Sequence, residues 1–394
     1  MQIDNAARRG RWAVATMFLT NGFVWGAWAP QIPLLLPRHG ISEAVLGLLI
    51  LGLGIGAVGA MSLAGRLIAR HGSRRVVLGF AIALLPVLPV IVLAPTLWLL
   101  APAMAALGGL AGTMDVAMNA NAVEVERRLG RAIMSSSHGF WSLGGFVGGF
   151  IGSFVIAHWG ALPQALAVTL ISAALVALAA PHLVADAPHP ETPAGGTPQG
   201  HFPRDGGLWL LGFMAMFSMI PEGAILDWAA IYLAKEQGAD LFRAGLGFAF
   251  FAGVMAVMRF AGDALRNRFG AVRTLRVSGL ISALALLGAA LAPDDITAIA
   301  GFAACGIGVA NMVPILFSAA GNHPGVPSGV AISTVTMVGY AGILLAPSSI
   351  GFVAEHLGFR WTYAALSLLL LVVAALAGRA AAADGIRKLA TTSD

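Results

Sequence analysis

Charged residues and cysteine are both scarce in this 394-residue chain, and each scarcity excludes a class of protein. Only 10% of the residues are charged, whereas a soluble domain carries roughly 25%, so the chain cannot cover a water-facing surface. The single cysteine, Cys305, excludes intrachain disulfides and a thiolate metal cluster. The sequence also lacks the HExxH spacing of zinc hydrolases, and the serines before His138 form no recognisable nucleophile arrangement. We therefore expect neither an enzyme nor a bound metal or cofactor.

The chain consists largely of long apolar runs. Hydrophobic residues make up 58% of the chain, and the mean hydropathy is +0.84. Runs of about 20 residues are long enough to cross a bilayer, and these runs are too long and too uniform to be the strands of a membrane barrel. We predict an all-α integral membrane protein whose twelve transmembrane helices lie near 12–36, 44–69, 75–94, 97–123, 132–157, 162–184, 208–233, 243–265, 273–292, 295–320, 328–354 and 360–382.

The second half of the chain repeats the first at an offset of about 198 residues. The aligned glycines are Gly47 with Gly245, Gly72 with Gly270, Gly108 with Gly306, Gly144 with Gly342 and Gly160 with Gly358. Six spans per half return the chain to its starting side, so the halves are predicted to be parallel repeats about an axis along the membrane normal. The proline- and glycine-rich stretch Asp186–Gly206 predicts a cytoplasmic linker between six-helix bundles at 1–185 and 207–394.

The distribution of basic residues predicts which side each loop occupies. With both termini on one side, that side receives 18 of the 23 lysines and arginines, and the other side receives four. Positive charge marks the cytoplasmic side. Both termini are therefore predicted to be cytoplasmic, and the net charge of +5 reports sidedness and not a nucleic-acid partner.

The loop after the second predicted span carries a family resemblance. It reads GRLIARHGSRR (Gly65–Arg75) and resembles the cytoplasmic signature of the major facilitator superfamily, with Ala69 in place of the usual acidic residue. A second copy, GDALRNRFGAVR (Gly262–Arg273), follows the eighth span. The resemblance covers essentially the whole chain. It implies a two-half transporter in which Arg70, Arg74 and Arg268 contribute to a cytoplasmic gate.

Four further segments resemble the bacterial MosC/YbjJ-like branch of that superfamily. They are GTMDVAMNANAVEVE (Gly112–Glu126), IMSSSHGFWSLGG (Ile133–Gly145), EGAILDWAAIYL (Glu222–Leu233) and RFAGD (Arg259–Asp263). The resemblance implies a monomeric inner-membrane permease, with sugar- or inositol-like solutes as the expected substrate class. Drug antiporters of the superfamily typically carry a glycine-proline pair in the fifth span, and Gly144–Gly149 lacks the proline.

Titratable groups inside the predicted spans are the candidates for chemistry, because a charge there costs on the order of 3 kcal/mol or more. Asp115 in the fourth span and His138 in the fifth are predicted to reach a similar depth. They could pass a proton or hold a solute hydroxyl. They could equally be a buried pair that fastens the two helices.

The seventh span holds two more acids. Glu222 follows Pro221, which interrupts the helix hydrogen bonds near the midplane, where broken helices commonly form binding sites. Asp227 lies five residues on and points about 140° away. We therefore predict that Glu222 faces the cavity as proton carrier or solute acceptor. Asp227 is placed nearer the periplasmic gate, beside Trp228 and Tyr232.

Arg259 and Asp263 share one face of the eighth span. The favoured interpretation is a charge pair that steadies the gate, although Arg259 could instead reach Glu222 or a substrate carboxylate. Aromatic faces and amides suit a sugar, since flat rings cover its C–H surfaces while amides bind its hydroxyls. The candidate sugar-binding residues are Asn21, Trp25, Asn119, Trp141, Asn311 and Tyr340.

Together these observations predict a permease in the inner membrane that moves a small polar solute by alternating access and is coupled to protons. Nucleic acid is not an expected partner. One alternative is a proton-driven efflux antiporter of amphipathic compounds, which would need a mostly apolar cavity. The other is a non-transporting membrane sensor or scaffold, which would need an appended soluble domain or long tail, and the sequence shows neither.

Overall fold

The computed structural model describes residues 5–129, 133–185, 205–326 and 328–384. Within some helices the side chains of residues 62, 69, 127, 135, 263, 267, 328–330 and 333 lie outside this description. The first half contains α1 (Asn5–Trp28), a 3-10 turn at Ala29–Gln31, α2 (Ile32–His39), α3 (Glu43–His71), α4 (Ser73–Leu84), α5 (Val87–Leu93), α6 (Leu97–Leu129), α7 (Met134–Trp159), α8 (Ala161–Ala179) and a 3-10 turn at Ala180–His182.

The second half repeats this order with six longer helices. They are α9 (Gly206–Glu236), α10 (Leu241–Phe269), α11 (Ala271–Ala290), α12 (Asp295–Gly321), α13 (Ser328–Leu357) and α14 (Phe359–Leu376), followed by a 3-10 segment at Ala377–Asp384. Twelve passes return the chain to the side on which α1 begins. We call that side the termini end and the opposite side the far end.

Eleven helical segments of the described residues are long and apolar enough to cross a membrane. The one remaining pass is made by the first helix, α1, whose 24 residues continue through the 3-10 turn into α2. The prediction of an all-helical membrane protein is confirmed. The predicted third span divides into α4 and α5 because Pro86, which has no amide hydrogen to donate, lies at the break.

Local sequence signals set the helix ends. Ser42, Asp205, Asp240 and Asp294 each cap a helix by accepting an amide hydrogen three residues on. At Asp294 this bond to the Thr297 amide holds the pKa of the carboxyl below its usual value.

Glycines with positive φ join successive helices at equivalent points of the two halves. Gly72 and Gly270 have φ of 79° and 80°, and Gly160 and Gly358 have φ of 88° and 84°. A side chain at such a φ is strained, so glycine is required where one helix ends and the next begins at once. The repeated glycines of the sequence therefore mark shared turns.

Glycine also sets how closely α1 and α7 cross. A Cβ at Gly22 or Gly26 of α1 would overlap backbone carbonyls of α7, and a Cβ at Gly144 or Gly148 of α7 would overlap carbonyls of α1. Close backbone approach is how helices associate in lipid, where the hydrophobic drive is absent. Gly145 and Gly149 point the other way, against Ala252 and Ala249 of α10.

The halves meet mainly along two pairs of helices, α7 with α10 and α3 with α13, and α2 of the first half also contacts α9 of the second. The domain division at the predicted linker remains a prediction, since residues 186–204 lie outside the described residues. Gly206, predicted as the last linker residue, is the first residue of α9 and follows the capping Asp205.

Candidate functional site

An ion pair joins two helices of the second half and lies against the first half. Arg259 of α10 donates from Nη2 to Glu222 Oε1 of α9 at 3.4 Å and from Nη1 to Ser142 Oγ of α7 at 2.7 Å. Ser142 is fully buried, whereas the side chains of Arg259 and Glu222 keep 18% and 25% of their surface exposed. The guanidinium thus joins the second half to the first and remains accessible.

Three further titratable groups lie within electrostatic range of members of this pair or of one another. The carboxylates of Asp115 and Glu222 both act electrostatically on the hydroxyl of Tyr340, and the charge of Arg259 acts on His138. These groups come from α6, α7, α9, α10 and α13. We call Asp115, His138, Glu222, Arg259 and Tyr340 the polar centre. Carboxylates accept hydrogen bonds, the guanidinium donates and the phenol does both, so the centre matches the hydroxyl groups of a polar solute.

Asp115 and His138 both belong to the polar centre, but no hydrogen bond joins their side chains among the described residues. His138 packs edge-on against Phe18 with ring centroids 5.1 Å apart. The Asn119 amide nitrogen donates to the backbone carbonyl of Asp115 at 2.8 Å. A role for Asp115 and His138 in passing a proton or holding a solute hydroxyl stays a prediction.

The predicted sugar-binding residues separate into two groups. Asn21 is buried and its amide is already hydrogen-bonded. Its Nδ2 donates to the Ala111 carbonyl at 3.1 Å, and its Oδ1 accepts from Trp141 Nε1 at 2.9 Å. These bonds fasten α1, α6 and α7 and leave little of the amide for a solute. Trp25 and Trp141 are partly buried, and Tyr340 is the most exposed of the set.

Asn311 of α12 is also buried. Its Oδ1 occupies the space that a Cβ at Gly262 of α10 would need, and within the described residues its Nδ2 has no hydrogen-bond partner. An amide nitrogen without a partner in a buried position carries a cost of about 1–3 kcal/mol. Asn311 lies beside α10 and points toward that helix.

Asp227 is separated from the polar centre. It is 8% exposed, and its charge acts on the Tyr363 hydroxyl of α14. The neighbouring Trp228 and Tyr232 are fully buried within the second half, where Tyr232 donates to the Ala289 carbonyl at 2.8 Å. Glu222 and Asp227 therefore differ in surroundings, as their helical spacing predicts.

The far end is closed by polar contacts between the halves that the sequence did not identify. Lys235 of α9 pairs with Glu43 of α3, and Glu355 of α13 accepts the Ala44 amide hydrogen of α3 at 2.9 Å. Glu355 thereby satisfies an amide of the first turn of a helix in the other half. The sequence signalled only the helix start at Ser42. The residues that contact Glu43 and Ala44 lie roughly 190 and 310 residues further along the chain.

Removing the lysine tests the first of these contacts. Exposed ion pairs contribute about 0.2–1 kcal/mol, so Lys235→Ala should shift the closed far end toward opening by up to about fivefold. A cysteine at the buried Ala354, in a Cys305→Ser background, reports opening through its labelling rate with a membrane-impermeant maleimide. Arg243→Ala is the matched control, because Arg243 pairs with Asp240 and Asp295 inside one half. Equal rates in both variants would show that the Lys235 pair does not hold this end closed.

The predicted gate residues lie at the termini end. Arg70 and Arg268 are exposed, and the Arg268 guanidinium lies 5.4 Å from the Phe269 ring. Arg74 donates to the Ala180 carbonyl at 3.2 Å, within its own half. The side chain of Asp263 lies outside the described residues, so its predicted pairing with Arg259 stays a prediction.

The sequence of the chain matches the family profile of the Major Facilitator Superfamily over residues 14–347. The chain belongs to the Major Facilitator Superfamily. Members of this superfamily are transporters, so the all-helical fold with its central polar groups is that of a multi-pass membrane transporter. The resemblance seen in the signature loop is confirmed.

Two relatives cover nearly the whole chain. An uncharacterised transporter of the superfamily from Yersinia pestis is 38% identical over 363 residues, which are 91% of this chain and 93% of that protein. Membrane protein MosC of Rhizobium meliloti is 32% identical over 349 residues, which are 88% of this chain and 84% of MosC. The resemblance to the MosC branch is thus also borne out.

Solved structures of the superfamily share the fold. The nucleoside transporter NupG superimposes with a TM-score of 0.68 at 15% identity, and the match covers 96% of this chain and 99% of NupG. A D-xylose–proton symporter has a TM-score of 0.70 at 15% identity and covers 94% of this chain and 96% of its own. At such identities the likeness describes the fold alone.

Proposed function

We propose that this transporter moves a small polar solute of the sugar or polyol type across the inner membrane, by alternating access and with proton coupling. The observation that carries the proposal is the partly exposed ion pair of Glu222 and Arg259 in the second half, whose guanidinium also bonds Ser142 of the first half. Charges at this depth are costly and mark solute or proton pathways. The sugar–proton symporter and the nucleoside transporter with the same fold support a hydroxyl-rich substrate.

Glu222 is the proposed coupling group. A proton on its carboxylate would cancel the attraction to Arg259, while Ser142 continues to accept from the guanidinium. The relative energies of the two gate arrangements then differ between the protonated and ionised forms, which is what coupling requires. Asp115, His138 and Tyr340 complete the proposed binding site, and Asp227 is retained as a second proton site.

The termini end is proposed to face the cytoplasm, because most lysines and arginines lie there. The closed far end would then face the periplasm, with Lys235 and Glu355 as parts of its gate. The chain is proposed to work as a monomer, as its two halves already supply both sides of the site. Arg70, Arg74, Arg268 and Asp263 are proposed to act when the termini end closes.

Efflux of amphipathic compounds is the second candidate. It is favoured by apolar side chains that remain exposed along α3 and α13, among them Val58 near the middle of α3 and Met337 in the first third of α13. An amphipathic compound could contact these residues on its way out of the bilayer. The first candidate is preferred because the deeper groups are charged or hydroxylated.

A counterflow screen in proteoliposomes separates the two functions. Purified protein is loaded with each member of a library of sugars, polyols, nucleosides and lipophilic cations, with and without a pH gradient. We expect exchange of a hydroxyl-rich solute and its accumulation when a pH gradient is applied. Transport of lipophilic cations without any sugar or polyol signal would contradict the proposal and favour efflux.

A further inference from the structure

Two arginines near the start of α11 lie inside a membrane-spanning segment and face outward. Arg273 and Arg276 fall within the span Ala271–Ala290, and both are exposed. Arg273 shares its face of the helix with Leu280 and Leu284, which are 42% and 65% exposed. Charged residues inside membrane helices almost always face the interior of the bundle. These two arginines face the lipid side instead, so their surroundings require an explanation.

The other sides of α11 pack against neighbouring helices. A Cβ at Gly279 would lie 3.1 Å from the Leu370 carbonyl of α14, and the Ser278 carbonyl lies against Gly308 of α12. Arg276 lies about 60° around the helix from Gly279, between the side that meets α14 and the exposed face. The Arg276 side chain therefore begins at the lipid side of the groove between α11 and α14.

A third arginine comes from the 3-10 segment that follows α14. Arg379 is exposed, and two contacts on either side of it fix its depth. Toward the far end, a Cβ at Gly279 of α11 would lie 3.0 Å from that of Ala374 of α14. At the termini end, the Ala271 amide donates to the Asp384 carboxylate at 2.6 Å. Both arginines of α11 and Arg379 lie between these two contacts, so all three are at one depth.

No carboxylate of the described residues neutralises this charge. Arg273, Arg276 and Arg379, which we call the arginine cluster, form no ion pair and no hydrogen bond within that part of the chain. The nearby Asp384 carboxylate accepts the Ala271 amide hydrogen. Three uncompensated positive charges at the edge of a bilayer attract anionic lipid headgroups.

The direction of α11 suits such a headgroup. Side chains of an α-helix tilt toward its N-terminus, and α11 begins at the termini end, so Arg276 leans out of the apolar layer. Nearer the far end, the exposed residues beside the groove are apolar on both helices: Leu280 and Leu284 of α11, and Leu368 and Val372 of α14. A phosphate at the arginine cluster would therefore leave its acyl chains along an apolar surface.

The first half lacks this combination of residues. At the 198-residue offset, Arg75 corresponds to Arg273. Leu78 takes the place of Arg276, and the third position holds Pro181. Arginines that serve only to orient a protein in the membrane would be expected in both halves. The cluster is therefore a particular feature of the second half, and the exposed Arg75 provides a matched control.

We propose that the arginine cluster binds the phosphate of an anionic phospholipid, whose acyl chains lie along the groove between α11 and α14. The planar guanidinium groups match the phosphate oxygens. Arg273 and Arg276 approach the phosphate from one helix, and Arg379 approaches it from the neighbouring segment. The site lies on the lipid side of the second half, apart from the polar centre, and it does not depend on the proposed transport function.

Native mass spectrometry of the purified full-length protein tests the site by counting the lipids that stay bound. Protein in detergent is titrated with phosphatidylglycerol and, separately, with phosphatidylcholine of the same acyl chains. Each arginine near the surface should strengthen the binding of the anionic lipid about fivefold. We therefore expect Arg276→Gln to lower the affinity for phosphatidylglycerol about fivefold. The triple variant with Arg273→Gln and Arg379→Gln should lose the preference over phosphatidylcholine, whereas Arg75→Gln should keep it.

Three outcomes would overturn the proposal. The first is a preference for phosphatidylglycerol that survives in the triple variant. The second is an equal loss in Arg75→Gln, because total charge and not the cluster would then govern binding. The third is displacement of bound phosphatidylglycerol by an excess of glycerol 3-phosphate, which would indicate a site for soluble anions. If the triple variant fails to fold, Arg276→Gln alone decides the test, since Arg276 is exposed and leaves the packed sides of α11 unchanged.

Discussion

Replacing Gly148 with leucine should prevent α1 and α7 from packing and destroy the stability of the first half. A Cβ at Gly148 would overlap the Phe23 carbonyl oxygen of α1 and lie 2.9 Å from the Ala27 nitrogen. These are backbone atoms of a helix that is itself held by α6 and α8, so they cannot move aside. Overpacking of this kind costs about 3 kcal/mol or more. We expect a fall on the order of 10 °C in the apparent melting temperature, or loss of monodisperse protein on size exclusion.

Gly79→Leu is the matched control for this substitution. Gly79 lies inside the membrane helix α4, is exposed, and would have no atom within 4 Å of an added Cβ. The exchange adds the same side chain to a glycine in the same half, without a backbone contact. A melting temperature lowered equally in both variants would show that leucine disturbs the helices themselves and that close approach at Gly148 is not the cause.

The glycine spacing of the fifth span predicted tight packing but not its direction. In the sequence, Gly145, Gly148, Gly149 and Gly152 form one small-residue flank. In the structure that flank divides, with Gly148 against α1 of the same half and Gly149 against α10 of the other. Helical periodicity locates a stripe on a helix, whereas the neighbour on each side depends on how all the helices are arranged. That arrangement is not encoded locally.

The repeat predicted the scaffold and could not predict how the α7–α10 contact differs from the α3–α13 contact. Gly72, Gly160, Gly270 and Gly358 were recognisable as equivalent positions, and each adopts a positive φ at a turn. A repeat predicts that α7–α10 and α3–α13 share one architecture. Particular contacts depend on residues that the repeat does not preserve: Phe260 covers Gly139, and the equivalent positions in the sequence hold Ser62 and Met337.

The candidate site was partly predictable for a similar reason. The free-energy cost of placing a charged side chain inside a membrane was enough to point to Glu222 and Arg259, because charged residues are rare inside the spans. Ser142 was not predicted, since a serine is common in membrane helices and only its distance of 2.7 Å from Arg259 distinguishes it. Asn21 and Trp141 were predicted as solute ligands, yet their mutual hydrogen bond depends on the rotation of two helices.

Glu222→Gln should abolish proton-driven accumulation while leaving solute exchange measurable. A pH gradient of about one unit supplies about 1.4 kcal/mol per proton and can therefore support about tenfold accumulation. Glutamine keeps the size and the hydrogen-bond acceptor of Glu222 but cannot gain or lose a proton. The accumulation ratio should fall from about tenfold to about one. Counterflow, which needs no net movement of protons, should persist in the same proteoliposomes.

Glu124→Gln makes the same chemical change outside the polar centre and serves as the control. Glu124 is buried in α6 and pairs with Arg128 at 2.7 Å, within one half. We expect this variant to accumulate solute as the parent does, because Glu124 pairs with Arg128 of its own helix. If Glu222→Gln still concentrates solute against its gradient when driven by pH, Glu222 is not the coupling group. The proton would then have to be carried by another acid of the spans, with Asp115 and Asp227 the next two to neutralise. Loss of both accumulation and counterflow would instead place Glu222 in solute binding, where its bond to Arg259 holds the guanidinium for the solute.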